Sequence, residues 1–190
     1  MAKEQATRKI EYVWRVDSAD KPIGDGRQPR SYKVGVQEHR SRGVAAFVRN
    51  KEGDFWIPRR SRKSRIFKGM LDSSVAGMLD FPETYEQGFK RESQEEIGVN
   101  TDEVNTQFLA HLSPFTHNIF CWTKVYEMYL EDTPPFNPDV FSKGFWWSMK
   151  QVREVLESKP YPIKPGLAET FLAVYTPPNR SRRWPKARGK

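Results

Sequence analysis

The chain has 190 residues, enough for one domain with a substantial core and short for two. Its formal net charge is +8, but Arg180, Arg182, Arg183, Lys186, Arg188 and Lys190 stand without an acid in the last eleven residues, so the charge mostly describes one end of the chain. A lone cysteine, Cys121, excludes an internal disulfide. No apolar run approaches the ~20 residues of a membrane span and no apolar leader opens the chain, so a cytoplasmic protein without membrane contact is expected.

In chain order, Glu11 to Asp17 (EYVWRVD) reads as a strand, Ser18 to Asp20 as its turn and Lys21 to Gly24 as a return strand, which makes a hairpin over about 11–24. Asp25 to Gln37 is polar with Gly and Pro, and His39-Arg40 leads out of it. Val44 to Arg49 is an apolar strand, Asn50 to Asp54 carries turn chemistry, and Phe55 to Ile57 is the partner strand. Arg59, Arg60, Arg62, Lys63, Arg65 and Lys68 then place six cations within ten residues. Such a run is either a solvated loop or a wall that receives an anion, and Arg59 and Arg60, which directly follow a strand, are the better fixed of the six.

Further on, Thr106 to Leu112 and Asn118 to Leu130 read as strands separated by Ser113-Pro114. Asp132 to Pro138 reads as a loop and Gly144 to Trp147 as a short strand. Ser148 and Gln151 have capping-box spacing ahead of Met149, Val152, Val155 and Leu156, which predicts a helix over about 149–158. Leu167 to Tyr175 offers one more short helix. From Pro177 the composition turns to Pro, Asn, Ser and basic residues, which predicts a single domain over 1–176 and a flexible basic tail over 177–190.

The stretch that states a chemistry is Gly77 to Val99, GMLDFPETYEQGFKRESQEEIGV. Glu92, Glu95 and Glu96 stand at i, i+3 and i+4, so on a helix they share one face. Three carboxylates so close repel one another, and a cation is the natural third party. Ligands that are all oxygen point to a hard ion, Mg²⁺ first and Mn²⁺ second. A solvated acidic face would explain Glu95 and Glu96 by themselves, but not the spacing of the whole stretch.

That spacing, Gly-x5-Glu-x7-Arg-Glu-U-x-Glu-Glu-x-Gly-U with U a bulky apolar residue, resembles the Nudix hydrolase signature. Gly77, Glu83, Arg91, Glu92, Glu95, Glu96, Gly98 and Val99 all fall where the pattern wants them, and Ser93 at the first U departs from it. The departure predicts a local packing loss. The resemblance implies an α/β Nudix fold, a mixed sheet in an α/β/α sandwich. It implies hydrolysis of a diphosphate linkage, in a nucleoside diphosphate derivative or another small organic diphosphate, with Mg²⁺ (or Mn²⁺) as cofactor. The ion would be held by Glu92, Glu95, Glu96 and the backbone carbonyl of Ala76, with Asp139 as a candidate further ligand. Arg91 and Glu83 would brace the loop before the helix, and Arg59 or Arg60, Lys68 and His39 are the candidate substrate contacts. Gly77 would permit a tight loop and Gly98 a left-handed helix end.

The flanks resemble the branch related to isopentenyl-diphosphate isomerase, in His39-Arg40, Arg59-Arg60-Ser61 and the run Gly69 to Gly77. The isomerase needs a Cys and a His where this chain has Ala76 and Met78, so isomerisation is not expected. Cys121 is read as a small core residue. The alternative reading is a module that binds RNA or another polyanion through the basic loop and tail, and the aromatic content would allow a homodimer.

Overall fold

The computed structural model describes residues 11–31 and 41–176. The readings on His39 and on the basic tail lie outside the described residues. The first strand, β1 (Tyr12–Val16), pairs antiparallel with β2 (Pro22–Pro29) in a separate two-stranded sheet. The return strand therefore runs five residues beyond the expected Gly24. Its PIGDGRQP sequence has little strand propensity, but the ladder offered by β1, from Tyr12 opposite Pro29 to Val16 opposite Pro22, decides the conformation.

The main sheet is built around β3 (Arg42–Arg49), whose six inner residues are all buried. A continuous apolar run is what a strand covered on both faces requires. One edge of β3 is shared, with β4 (Phe55–Arg60) pairing at Val48 and Arg49 and β5 (Val75–Met78) pairing at Gly43 to Ala46. The short β5 was not expected from its sequence, since four residues carry no readable period. Helix α1 (Tyr85–Ile97) follows.

Beyond α1, β6 (Asn105–Leu112) leads through the short helix α2 (Pro114–His117) into β7 (Trp122–Tyr129). The expected strand from Asn118 starts four residues late because Asn118 closes α2 in the left-handed conformation, φ 52°. Strand β7 runs parallel to β3 on its other edge, while β6 and β7 are antiparallel. The last strand, β8 (Phe141–Trp147), pairs with β4, so the path across the sheet is β6-β7-β3-β4-β8 with β5 beside β3. Helix α3 (Met149–Ser158) has both arms of the expected Ser148–Gln151 capping box, and α4 (Leu167–Tyr175) completes the described chain.

Alternation along the strands sorts the core into two layers. Val44, Ala46, Val48 and Trp56 face α1, where they pack with Phe89 and Ile97. Phe47, Phe55 and Ile57 face the other way, onto Val152, Leu156 and Phe171 of α3 and α4. The result is the α/β/α sandwich with a mixed sheet. No described helix is long and apolar enough to cross a membrane.

Candidate active site

The site forms where β5 ends and α1 begins. Thr84 caps α1 by accepting from the Gln87 amide, and the Gln87 side-chain oxygen in return accepts from the Thr84 amide. At the other end Gly98 adopts φ 64°, and the amides of Gly98 and Val99 reach back to the carbonyls of Gln94 and Ser93. That is a Schellman closure, for which a left-handed glycine is the usual residue. Ser93 is fully buried and its hydroxyl has no hydrogen-bond partner among the described residues, so the departure from the motif falls on a core position.

Arg91 is the hub of the loop between β5 and α1. Its Nε and Nη2 donate to the two carboxylate oxygens of Glu83 at 2.7 and 2.9 Å. Nη2 also donates to the Met78 carbonyl at 3.0 Å, and Nη1 reaches Glu92 at 2.7 Å and Glu95 at 3.2 Å. Glu83 accepts the Asp80 amide as well, at 2.9 Å. Burial favours the neutral form of Arg91, but the Glu83 and Glu92 carboxylates outweigh it and its pKa is raised. Burial likewise works against ionised Glu83, and the Arg91 contact overcomes it, so that pKa is lowered. Seven residues lie between the two, and the loop ahead of α1 folds Glu83 back onto Arg91.

The N-terminal hairpin supports the same loop in a way the sequence did not announce. The Trp14 indole donates to the Glu83 carbonyl at 2.7 Å, and Arg30 pairs with Asp80. The Asp20 carboxylate accepts from Tyr85 of α1 at 2.9 Å and from Arg42 of β3 at 2.7 Å.

Glu92 and Glu96 are both buried, whereas Glu95 is exposed. Burial raises the pKa of Glu92 against the pull of Arg91. Burial raises that of Glu96 well above the ordinary value, and the nearby Glu92 and Asp72 charges add to the rise. Glu96 accepts the Ala76 amide at 2.8 Å, and the Glu92 carboxylate lies against Gly77, where an added Cβ would stand 1.9 Å from it. Gly77→Ala is therefore expected to force Glu92 out of place, with a destabilisation on the order of 1–3 kcal/mol that a thermal melt would measure.

Among the described residues no three His, Cys, Asp or Glu side chains converge on one point as a preformed ion cage. Arg91 holds oxygens of Glu92 and Glu95, and Glu96 is turned to an amide. The donor set nonetheless suits a hard divalent ion. It consists of oxygens alone, and two of its carboxylates are buried within range of each other, so each raises the cost of ionising the other and a cation would relieve both.

The basic cluster distributes differently from the carboxylates. Arg60 donates to the buried Asp72 at 2.9 Å and to the Ile66 carbonyl at 3.2 Å, while Arg59 lies over the Tyr161 ring at 4.9 Å and near Phe145. Successive strand residues face opposite ways, and Arg59 is drawn to aromatic surface. Lys68 is exposed. Asp139 is exposed too and is paired with Lys63 at 2.8 Å, so it does not join the carboxylate group. Two residues that the sequence reading passed over do come close. Asp72 and Lys164 form an ion pair with Nζ 2.9 Å from each Asp72 oxygen, and the fields of both reach Glu96.

A model of the NUDIX domain matches residues 39–169. The chain is 36% identical over 166 residues to an uncharacterised Nudix hydrolase of Nostoc sp., a match that covers 87% of this chain and 96% of the relative. It is 26% identical over 171 residues to an isopentenyl-diphosphate Delta-isomerase of Brevibacterium linens, covering 87% of this chain and 92% of that one. Among solved structures it is similar to the crystal structure of a Deinococcus radiodurans protein, with TM-score 0.80, 34% identity, and coverage of 87% of this chain and 99% of the other.

Proposed function

The chain belongs to the Nudix family and is a Nudix hydrolase, and from that premise we propose that it cleaves the diphosphate linkage of a nucleoside diphosphate derivative or other organic diphosphate with Mg²⁺ or Mn²⁺ as cofactor. The observation that carries this reading is the pair of buried carboxylates, Glu96 on the Ala76 amide and Glu92 against Gly77. Glu92 has Arg91 as a partner, but Glu96 rests on the Ala76 amide with the Glu92 charge beside it, and ionising it there is expensive without a further cation. Glu92, Glu95, Glu96 and the Ala76 carbonyl are the groups that would hold the ion. When bound, it supplies screening of the diphosphate charge and a more acidic water.

The residues of the chain do the rest. Arg91 and Glu83 keep the loop closed so that the carbonyl end of β5 and the face of α1 stay in register. One carboxylate of the group accepts the proton of the attacking water. Isomerisation is not proposed, because residue 76 has no thiol and residue 78 no imidazole. The same reading treats residues 1–176 as the hydrolase domain and 177–190 as an appendage.

The experiment is a panel of organic diphosphates assayed for released phosphate or monophosphate, with Mg²⁺ and with chelator. Turnover on at least one compound that disappears in chelator is the expected result. Equal turnover in chelator would remove the metal from the account.

A further inference from the structure

A cavity of about 200 Å³ opens beside Gly77, the residue against which Glu92 rests. We propose that this cavity takes the organic group of the diphosphate substrate, that the group is a flat ring with a polar edge, and that Lys164 fixes the phosphate leading into it. The proposal rests on the hydrolase reading above and names the substrate feature that reading leaves open.

The position of the cavity supports the first part. It is lined by Val44 and Ala45 of β3 and by Gly77 and Met78 of β5, so it begins at the strand junction to which Glu92 and Glu96 reach. None of the box glutamates lines it. A substrate whose diphosphate lies at the glutamates would have its next group at this opening.

The lining supports the second part. Phe67 and Phe120 meet with ring centroids 6.0 Å apart and planes tilted by 39°. That leaves no room for a ring between them, so together they present one aromatic wall. Phe67 is also held at φ 55°, a left-handed conformation that costs a bulky side chain roughly 1–2 kcal/mol. Strain kept at a cavity wall is more often found where a site uses it. Elsewhere the cavity is lined by the hydroxyl residues Ser73, Thr123 and Thr170. The Thr123 hydroxyl already donates to the Cys121 carbonyl at 2.9 Å, but Ser73 and Thr170 suit the polar edge atoms of a heteroaromatic ring stacked on the wall better than a saturated hydrocarbon.

Lys164 supports the third. The segment that carries it is stiffened by Pro160, Pro162 and Pro165 and is tied to Leu71 in both directions. The Leu71 amide donates to the Pro162 carbonyl at 2.9 Å, and the Lys164 amide donates to the Leu71 carbonyl at 2.9 Å. Nζ spends two of its three N–H groups on the two oxygens of Asp72, which leaves one for a ligand. Asp72 already has Arg60, so two cations share one buried carboxylate on the cavity wall. The remaining N–H of Lys164 would meet a phosphate oxygen.

The test measures binding to the full chain by calorimetry in Mg²⁺ buffer, using the α,β-methylene analogue of a nucleoside diphosphate, an alkyl diphosphonate and methylenediphosphonate. Wild type should bind the nucleoside analogue most tightly. Phe67→Gly suits a left-handed backbone, so it should keep the thermal midpoint while weakening the nucleoside analogue roughly ten-fold and leaving methylenediphosphonate unchanged. Phe120→Leu should act in the same direction. Lys164→Met leaves Asp72 with Arg60 and the Ser73 amide, so it should fold, and it should weaken all three ligands by roughly ten-fold, with Lys164→Arg recovering them. Cys121, the single thiol, also lines the cavity, and the nucleoside analogue should slow its alkylation where methylenediphosphonate does not. Equal affinity for ring and alkyl ligands in wild type, or Phe67→Gly binding the nucleoside analogue as wild type does, would overturn the proposal. Turnover on the diphosphate panel in that event leaves the hydrolase reading standing, and selective binding without any turnover would sink that reading alone.

Discussion

Glu96→Gln is expected to lower turnover on a diphosphate substrate roughly a hundred- to ten-thousand-fold and to leave the fold in place. The reason given by sequence alone would be that a surface carboxylate is being changed. The structure gives a different one, because Glu96 is buried on the core side of α1. Glutamine keeps an oxygen to accept the Ala76 amide and removes a charge that burial, Glu92 and Asp72 all oppose. In chelator the variant should therefore be at least as stable as wild type near neutral pH. A raised folded-state pKa means that the stability contributed by protonated Glu96 is fully present below the ordinary value of 4.5 and is lost as pH climbs through the raised one. Metal-free wild type should melt at progressively lower temperature over that interval, and Glu96→Gln should show a flatter profile. Thermal melts against pH in chelator read both.

Arg91→Ala should damage both stability and rate. It removes a bidentate bond to Glu83, a bond to the Met78 carbonyl and contacts to Glu92 and Glu95. Glu83 is left partly buried without its cation, and a loss on the order of 2–3 kcal/mol is expected, equivalent to roughly 5–10 °C in a chain of this size. Arg91→Lys should recover little, since one ammonium cannot span the Glu83 carboxylate and the Met78 carbonyl in the plane that guanidinium uses. If the two act as one brace, Glu83→Gln combined with Arg91→Ala should cost clearly less than the sum of the single changes. Strict additivity in a double-mutant cycle would mean that the pair is not coupled.

How much of this was legible depended on whether the information was local. Helix α3 was readable because its start signal and apolar face lie within ten residues, and β3 because a strand buried on both faces has to be apolar throughout. The glutamate face of α1 was readable for the same reason, being a spacing within one helix. Strand β5 was not, since four residues show no period, and the part of β2 beyond Gly24 was not, since pairing overrides a sequence of low strand propensity. The Asp72–Lys164 pair is separated by 92 residues and neither member carries a local signature. Arg59 and Arg60 looked equivalent in sequence, yet one is drawn to Tyr161 and the other to Asp72 because neighbours on a strand face opposite ways. Local patterning thus located the box, while the surroundings that bear on specificity came from contacts between distant segments.

Mn²⁺ binding followed by electron paramagnetic resonance tests, without a substrate, the proposal that Glu92, Glu95 and Glu96 hold a divalent ion. Wild type should bind Mn²⁺, release it to Mg²⁺ in competition, and gain thermal stability with either ion. Glu96→Gln, melting no lower than metal-free wild type, should bind it at least ten-fold more weakly. Undiminished Mn²⁺ binding in a folded Glu96→Gln protein would contradict the account.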